Sequence, residues 1–185
     1  MPDDLRTHLV ATGVELVTAE GTEALTLREI ARRAGVSHGA PRRYFPTHRE
    51  LLAAVARVGY DRLSERVAAL GEQSDPRAGL LALGRLYLDF ARTDRGMFEL
   101  MFRHELLRGN QEGLREASKP LFAVLVGLVD RARPGRDDAA VAAGALWANL
   151  HGIAQLWSWG SLQMAVQTED ADALLRTVID AYGET

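Results

Sequence analysis

The stretch LTLREIARRAGVSHGAPRRYFPTHRELL, residues 25–52, decides how the chain is read. Thr26 precedes the helical stripe Leu27, Ile30, Ala31, Ala34, and Glu29 stands three residues after it. That spacing is a capping box, in which the threonine hydroxyl and the glutamate carboxylate each satisfy an orphan N–H of the first turn. Gly35 predicts the stop, because glycine adopts the left-handed conformation without a Cβ penalty. Ser37 then predicts a third short helix running to about Phe45, although Pro41 lacks an N–H and should distort or delay it. Short helix, glycine turn, short helix is helix-turn-helix spacing, in which the second helix enters the DNA major groove.

Outward from this stretch the periodicity stays helical. Upstream, Leu5, Leu9, Gly13, Leu16 and Val17 form one stripe, which Gly21 ends. Downstream, Pro46-Thr47 opens a long helix over 47–70 carrying Leu51, Val55, Val58, Leu63, Val67 and Leu70, roughly 36 Å in length. After a break at 71–76, Asp75-Pro76 reads as N-cap and first helical residue. Five further helical stretches follow at about 76–92, 95–107, 118–133, 137–160 and 170–182, with 110–117 ambiguous because Pro120 should start or kink a helix. No stretch alternates like a strand, so the expected class is all-α with about nine helices. The expected division is a helix-turn-helix domain over 1–46, a connecting helix over 47–70 and a second helical domain over 71–185.

Composition narrows the function. The chain has 185 residues, 47% of them hydrophobic and 25% charged, an ordinary globular balance. It has no cysteine, which excludes disulfides and thiolate metal sites. No apolar leader opens it, so a cytoplasmic location is expected. The net charge of −3 hides a contrast: residues 28–49 hold Arg28, Arg32, Arg33, Arg42, Arg43 and Arg49 against Glu29 alone, a net +5. A basic patch on an otherwise acidic chain fits one polyanion-facing surface. Residues 139–168 carry no formal charge but hold Asn149, His151, Gln155, Gln163 and Gln167, and read as a buried helix pair rather than a membrane span.

The quoted stretch resembles the DNA-binding segment of the tetracycline-repressor (TetR) family of transcriptional regulators. Thr26, Ile30-Ala31, Ala34-Gly35-Val36-Ser37, Gly39, Tyr44-Phe45 and Leu51-Leu52 carry the likeness. In the C-terminal part, Trp147, His151 and Gly152 resemble a Trp-His-Gly signature of one branch of that family. The resemblance implies phosphate contacts from Thr26, the Leu27 N–H and Arg28 at the second helix, and from Ser37, Tyr44, Thr47 and His48 around the recognition helix. It implies that His38, Gly39, Ala40, Arg42 and Arg43 face base edges. Arg42 departs from the family's usual tyrosine, His48 from a frequent lysine, and the acidic start Met1-Pro2-Asp3-Asp4 from a basic minor-groove arm.

The later helices carry two further expectations. Met97, Phe98, Met101 and Phe102 on adjacent turns, with Trp147, His151 and Gln155 on one helix face, suit an apolar small-molecule pocket with a few polar groups. The competing reading is plain core packing. Val141, Ala145, Ala148 and Gly152 form a line of small residues, and Leu174, Leu175, Val178 and Tyr182 belong to an apolar stripe near the terminus. Two such helix pairs would pack as a four-helix dimer bundle. The expected partners are a double-stranded operator, a small-molecule effector and a second copy, with no membrane.

An enzyme and a DNA-free interaction module are the alternative classes. The chain has no phosphate loop, no G-x-G-x-x-G and no H-E-x-x-H. Its histidines, His8, His38, His48, His104 and His151, lack ligand spacing, and Asp137-Asp138 reads as a helix cap. No catalytic residue, metal or cofactor is expected. The reading reached is a ligand-responsive regulator, with repressor as the family default, and a gel shift separates it from both alternatives.

Overall fold

The computed structural model describes residues 2–135 and 137–183, leaving Met1 of the acidic start outside. Ten α-helices are found among them: α1 Pro2–Glu20, α2 Leu27–Arg33, α3 His48–Ala68, α4 Pro76–Thr93, α5 Arg95–Met101, α6 His104–Gly109, α7 Leu114–Ala132, α8 Ala139–Ser158, α9 Ser161–Val166 and α10 Ala171–Gly183. Short 3-10 turns stand at Thr22–Ala24, Pro41–Arg43 and Gln111–Gly113. The all-α expectation holds. Among the described residues no helix is long and apolar enough to cross a membrane, α8 included.

The chain packs into two compact units, one of residues 1–63 with 94–118, the other of 64–93 with 119–185. This grouping cuts across the linear division at 46 and 70, because α5 and α6 pack with the N-terminal helices.

In the first unit, Leu9, Leu16 and Val17 of α1, Ile30 and Ala31 of α2, and Leu51 and Val55 of α3 are fully buried, together with Phe45. Gly13, inside the α1 stripe, gives the Val55 side chain its seat. Gly96 brings α5 against α1 so closely that a methyl group there would collide with the Val17 carbonyl oxygen. The expected helix over 95–107 is divided into α5 and α6. The Met101 carbonyl, which an unbroken helix would use internally, accepts instead from the Tyr60 hydroxyl at 2.9 Å.

The second unit is built on α4, α8 and α10, whose buried residues include Leu80, Phe90, Leu146, Leu150, Leu175 and Ile179. Gly84 of α4 admits Leu175 of α10. Ion pairs Arg85–Asp172, at 2.5 Å, and Arg77–Asp180 fasten α10 along α4. Hydrogen bonds from Arg85 and Arg176 hold the Asp172 carboxyl well below the usual carboxylate range. Helix α7 starts four residues earlier than expected and carries Pro120 inside it, at the cost of one internal hydrogen bond. The short α9 follows Gly160, whose φ of 74° turns the chain after α8. Asp75 caps α4 by accepting from the Arg77 N–H at 3.0 Å, whereas Asp138 makes no side-chain cap bond to α8.

Candidate nucleic-acid interface and ligand site

The helix-turn-helix is set by local chemistry. Thr26 Oγ1 accepts from the Glu29 N–H at 3.1 Å, the first half of the expected capping box. The second half is not made, because the Glu29 carboxylate is turned to Arg32, with bonds of 2.6 and 2.8 Å, and to Arg33, at 2.8 Å. At the other end Gly35 has φ 68°. The Val36 N–H reaches the Ala31 carbonyl at 3.0 Å and the Gly35 N–H reaches that of Arg32 at 3.3 Å, a Schellman stop.

The expected third helix is not formed as an α-helix. Residues 37–45 instead make successive i→i−3 bonds, Ala40 N–H to Ser37 O at 2.9 Å, Arg43 to Ala40 at 3.2 Å and Tyr44 to Pro41 at 3.0 Å. The reason is Pro41, which donates nothing and whose ring crowds the carbonyl four residues back. Only the Phe45 N–H, reaching Pro41 O at 2.8 Å, closes an α-type ring.

Helix α3 then opens on a complete capping box that the sequence reading did not name. Thr47 Oγ1 accepts from the Glu50 N–H at 3.2 Å, and Glu50 Oε2 accepts from the Thr47 N–H at 3.3 Å. The T-x-x-E spacing was the available signal. His48 uses Nε2–H on the Leu25 carbonyl, which ties the start of α3 to the residue before the Thr26 cap.

The residues expected to meet DNA lie on the surface of this unit. Thr26, Arg28, Ser37, His38, Gly39, Arg42, Arg43, Thr47 and His48 are exposed, and Leu27, Ala40 and Tyr44 are half-buried. The basic patch is smaller than its count of arginines. Arg32 is paired with Glu29, and Arg33 with both Glu29 and Glu20. Among the described residues Arg28, Arg42, Arg43 and Arg49 form no ion pair, although Arg49 lies near enough to Glu105 to help lower its carboxyl; Arg28, Arg42 and Arg43 carry the outward positive charge.

Hydrogen bonds from Arg32 and then Arg33 pull the Glu29 carboxyl from the usual 4.5 down to about 2. Its folded-state value is depressed, so its contribution to stability is full above pH 4.5 and is lost as pH falls toward 2. The glutamate is half-buried and its partners reach solvent, so the effect on folding is small. The effect on DNA is larger. Glu29→Gln should free Arg32 for phosphate, while Arg33 stays paired with Glu20. Affinity for random duplex should rise and its salt dependence steepen by one phosphate contact, roughly 0.9 log unit. Filter binding at several salt concentrations checks this; an unchanged slope would show that Arg32 does not reach DNA.

The residues expected to form a ligand pocket fall into two groups. Met97, Phe98 and Met101 are buried in the first unit, where both methionines cover Gly59. Phe98 and Phe102 meet at a tilt of 60° with ring centroids 4.9 Å apart, and Phe102 meets Tyr60 edge-on at 6.2 Å. Trp147, His151 and Gln155 belong to α8 of the second unit. There Trp147 Nε1–H donates to the Tyr87 hydroxyl at 3.3 Å, and that hydroxyl bonds His151 Nδ1 at 2.8 Å. Burial pushes the His151 imidazole below its ordinary value, which favours its neutral form. Phe122 of α7 packs against Trp147 at 6.4 Å, and the sequence reading named neither it nor Tyr87. Their hydroxyl-and-ring chemistry shows only once α4 and α7 lie beside α8.

The same unit has a groove of about 470 Å³ beside α7, walled by Val67, Leu70, Leu83, Val124 and Leu128, with Glu72 and Asp130 among its polar residues. None of the expected ligand residues lines it.

The dimer-face residues divide by side. Val141 is 75% exposed, Ala145 and Ala148 are exposed and Gly152 is half-exposed. Leu174, Val178 and Tyr182 are half-buried. Leu175 is different, with no exposed surface, and sits on Gly84 inside the protomer.

Comparison with known proteins places this architecture. The family model for bacterial regulatory proteins of the tetR family matches residues 9–55, and that for the tetracyclin repressor-like C-terminal domain matches residues 80–182. The chain is 28% identical over 118 residues to the nucleoid occlusion factor SlmA of Marinobacter nauticus, a match covering 63% of this chain and 60% of that protein. A protein of unknown function from Rhodococcus sp. RHA1 shares 31% identity and a TM-score of 0.80, over 97% of this chain and 93% of that one. The multidrug binding protein EbrR, solved with ethidium, shares the fold at 23% identity and a TM-score of 0.68, over 97% of this chain and 99% of its own. With both family models matched in the order of the two segments, the chain belongs to the TetR family of DNA-binding transcriptional regulators.

Proposed function

We propose that this chain is a ligand-responsive repressor that binds a palindromic operator as a homodimer and leaves it when a small apolar or amphipathic effector binds. The observation that carries the DNA side is the exposed set Arg28, Arg42, Arg43 and Arg49 around a capped helix-turn-helix. In a dimer, two such segments would meet successive major grooves about 34–36 Å apart. Thr26, Leu27, Arg28, Ser37, Tyr44, Thr47 and His48 are assigned to the backbone, and His38, Gly39, Ala40, Arg42 and Arg43 to base edges. Residues 1–46 are the DNA-binding domain, 47–70 the connecting helix and 71–185 the ligand and dimer domain.

For the effector, the supporting feature is the Trp147–Tyr87–His151 cluster, which offers ring faces and an imidazole whose burial favours the neutral form. The Trp147, His151, Gly152 signature is read as the mark of one branch of the family. EbrR, a relative in fold, takes ethidium, a flat aromatic molecule of the kind such faces suit. Effector binding must favour a conformation whose recognition segments no longer match one DNA turn. By linkage, it then weakens DNA binding by the factor that DNA weakens effector binding, about 5- to 150-fold.

The test is a thermal-shift screen followed by operator titrations with and without the hit. Trp147→Ala should lower effector affinity and leave effector-free operator binding nearly intact. A hit that binds the wild type yet leaves operator affinity unchanged has no differential affinity for the two states, and release by that molecule is then wrong.

A further inference from the structure

The replacement of an α-helix by a 3-10 turn changes which side chains can reach a base. In the 3-10 turn Pro41–Arg43 successive side chains stand about 120° apart. Pro41 is buried and Tyr44 half-buried, beside the fully buried Phe45, whereas Arg42 and Arg43 are exposed. The two arginines therefore leave the turn in different directions on its exposed side.

The two residues before the turn, Gly39 and Ala40, are too short to reach a base by hydrogen bonding. Gly39 is of particular interest. It has no positive φ, and a Cβ built on it meets nothing within 4 Å. Neither its backbone conformation nor packing within the protomer calls for glycine there. A bare backbone at this point lets the segment approach a groove floor closely, with only the two guanidinium groups projecting ahead. Neither Arg42 nor Arg43 is drawn aside by an acid, in contrast to Arg32 and Arg33.

We propose that each recognition segment reads two guanines, one by Arg42 and one by Arg43, so that every operator half-site carries two G·C pairs within two base steps of each other. The chemistry selects guanine. A guanidinium only donates, and guanine alone presents two adjacent acceptors, O6 and N7, in the major groove. Adenine sets a donor beside its N7, cytosine presents a donor, and thymine has a single acceptor beside a methyl group. The half-site positions under Gly39 and Ala40 have no hydrogen-bonding partner, and Ala40 favours a thymine methyl at its own. This assignment rests on the proposed base-facing role of residues 38–43 and narrows it to two side chains and one base.

The experiment is selection of binders from a random duplex library by the purified full-length protein, repeated with Arg42→Ala, Arg43→Ala, Arg43→Lys and, as control, Arg32→Ala. The expected wild-type consensus has two G·C pairs within two steps in each half. Arg42→Ala should erase the preference at one and Arg43→Ala at the other, each weakening the selected duplex about ten- to a hundredfold while random duplex changes little. Arg43→Lys keeps the charge and a donor to guanine but not the planar fork, so it should retain the salt dependence and weaken the guanine preference without erasing it. The Arg32→Ala consensus should match that of the wild type. A consensus without the two G·C pairs, or variants that weaken all duplexes equally, would overturn the proposal. If the consensus survives both alanine substitutions, operator reading stands and the guanine assignment alone falls; if the wild type enriches no sequence, the base-facing role of the segment falls with it.

Discussion

Leu175→Asp should unfold the C-terminal unit rather than split a dimer. Leu175 has no exposed surface and fills the space that Gly84 leaves on α4. An aspartate there has no cation within the core to pair with, because Arg85 and Arg77 are already committed to Asp172 and Asp180 on the surface. A buried, unpaired carboxylate costs about 3–5 kcal/mol, which is a large part of the roughly 5–15 kcal/mol that holds a domain together. Thermal melting followed by circular dichroism should show early loss of helicity. Val178→Asp, at a half-buried position, is the informative comparison: it should leave the melting curve nearly unchanged. A Leu175→Asp protein that melts like the wild type would remove Leu175 from the core.

The contrast between these two neighbours shows where sequence reading stops. An apolar stripe on α10 announces that one face is covered, but not whether the cover is the same protomer or another copy. Leu174, Leu175, Val178 and Tyr182 therefore read as one face, and the structure puts Leu175 on the inner side. The same ambiguity governs Met97 and Met101. Their spacing suits a pocket wall and a core equally, and the deciding partner, Gly59, lies on a different helix. Local signals carried further. Thr26, Glu29 and Gly35 mark the start and stop of α2 because caps and turns are settled within a few residues. Pro41 warned of a distorted third helix, although not that the whole segment would adopt i→i−3 bonding. The break between α5 and α6 left no trace, since Tyr60 takes the Met101 carbonyl from 41 residues away. The pairing of Arg33 with Glu20 is hidden for the same reason, and with it the true size of the basic surface.

Ala148→Glu should convert the protein to a monomer and lower operator affinity by at least a hundredfold. On α8 the buried residues Ala142, Ala143, Leu146, Leu150 and Ile153 mark the side that meets α4 and α10. Val141, Ala145, Ala148 and Gly152 follow one another on the other side at spacings of four, three and four, with nothing in the protomer over Gly152. Small residues at those spacings let a second helix approach closely. In the monomer, glutamate at position 148 stays in water and costs almost nothing, so helicity should be kept and melting should fall only by what dimerisation adds. In an isologous bundle the substitution occurs twice near the symmetry axis, where two carboxylates lose water and face each other without a cation. The loss of DNA affinity then follows from linkage of the half-sites. A dimer that has bound one half-site holds the other recognition segment at high effective concentration, worth about a hundred- to ten-thousandfold in avidity. A monomer forfeits that factor while keeping every contact of a single half-site. Light scattering should report half the wild-type mass, and titration of a half-site duplex should give equal affinities for both proteins. If wild type and Ala148→Glu share one mass, the α8 line is not the interface. If the mass halves and the full operator is still bound as tightly, the two half-sites are not coupled through this dimer.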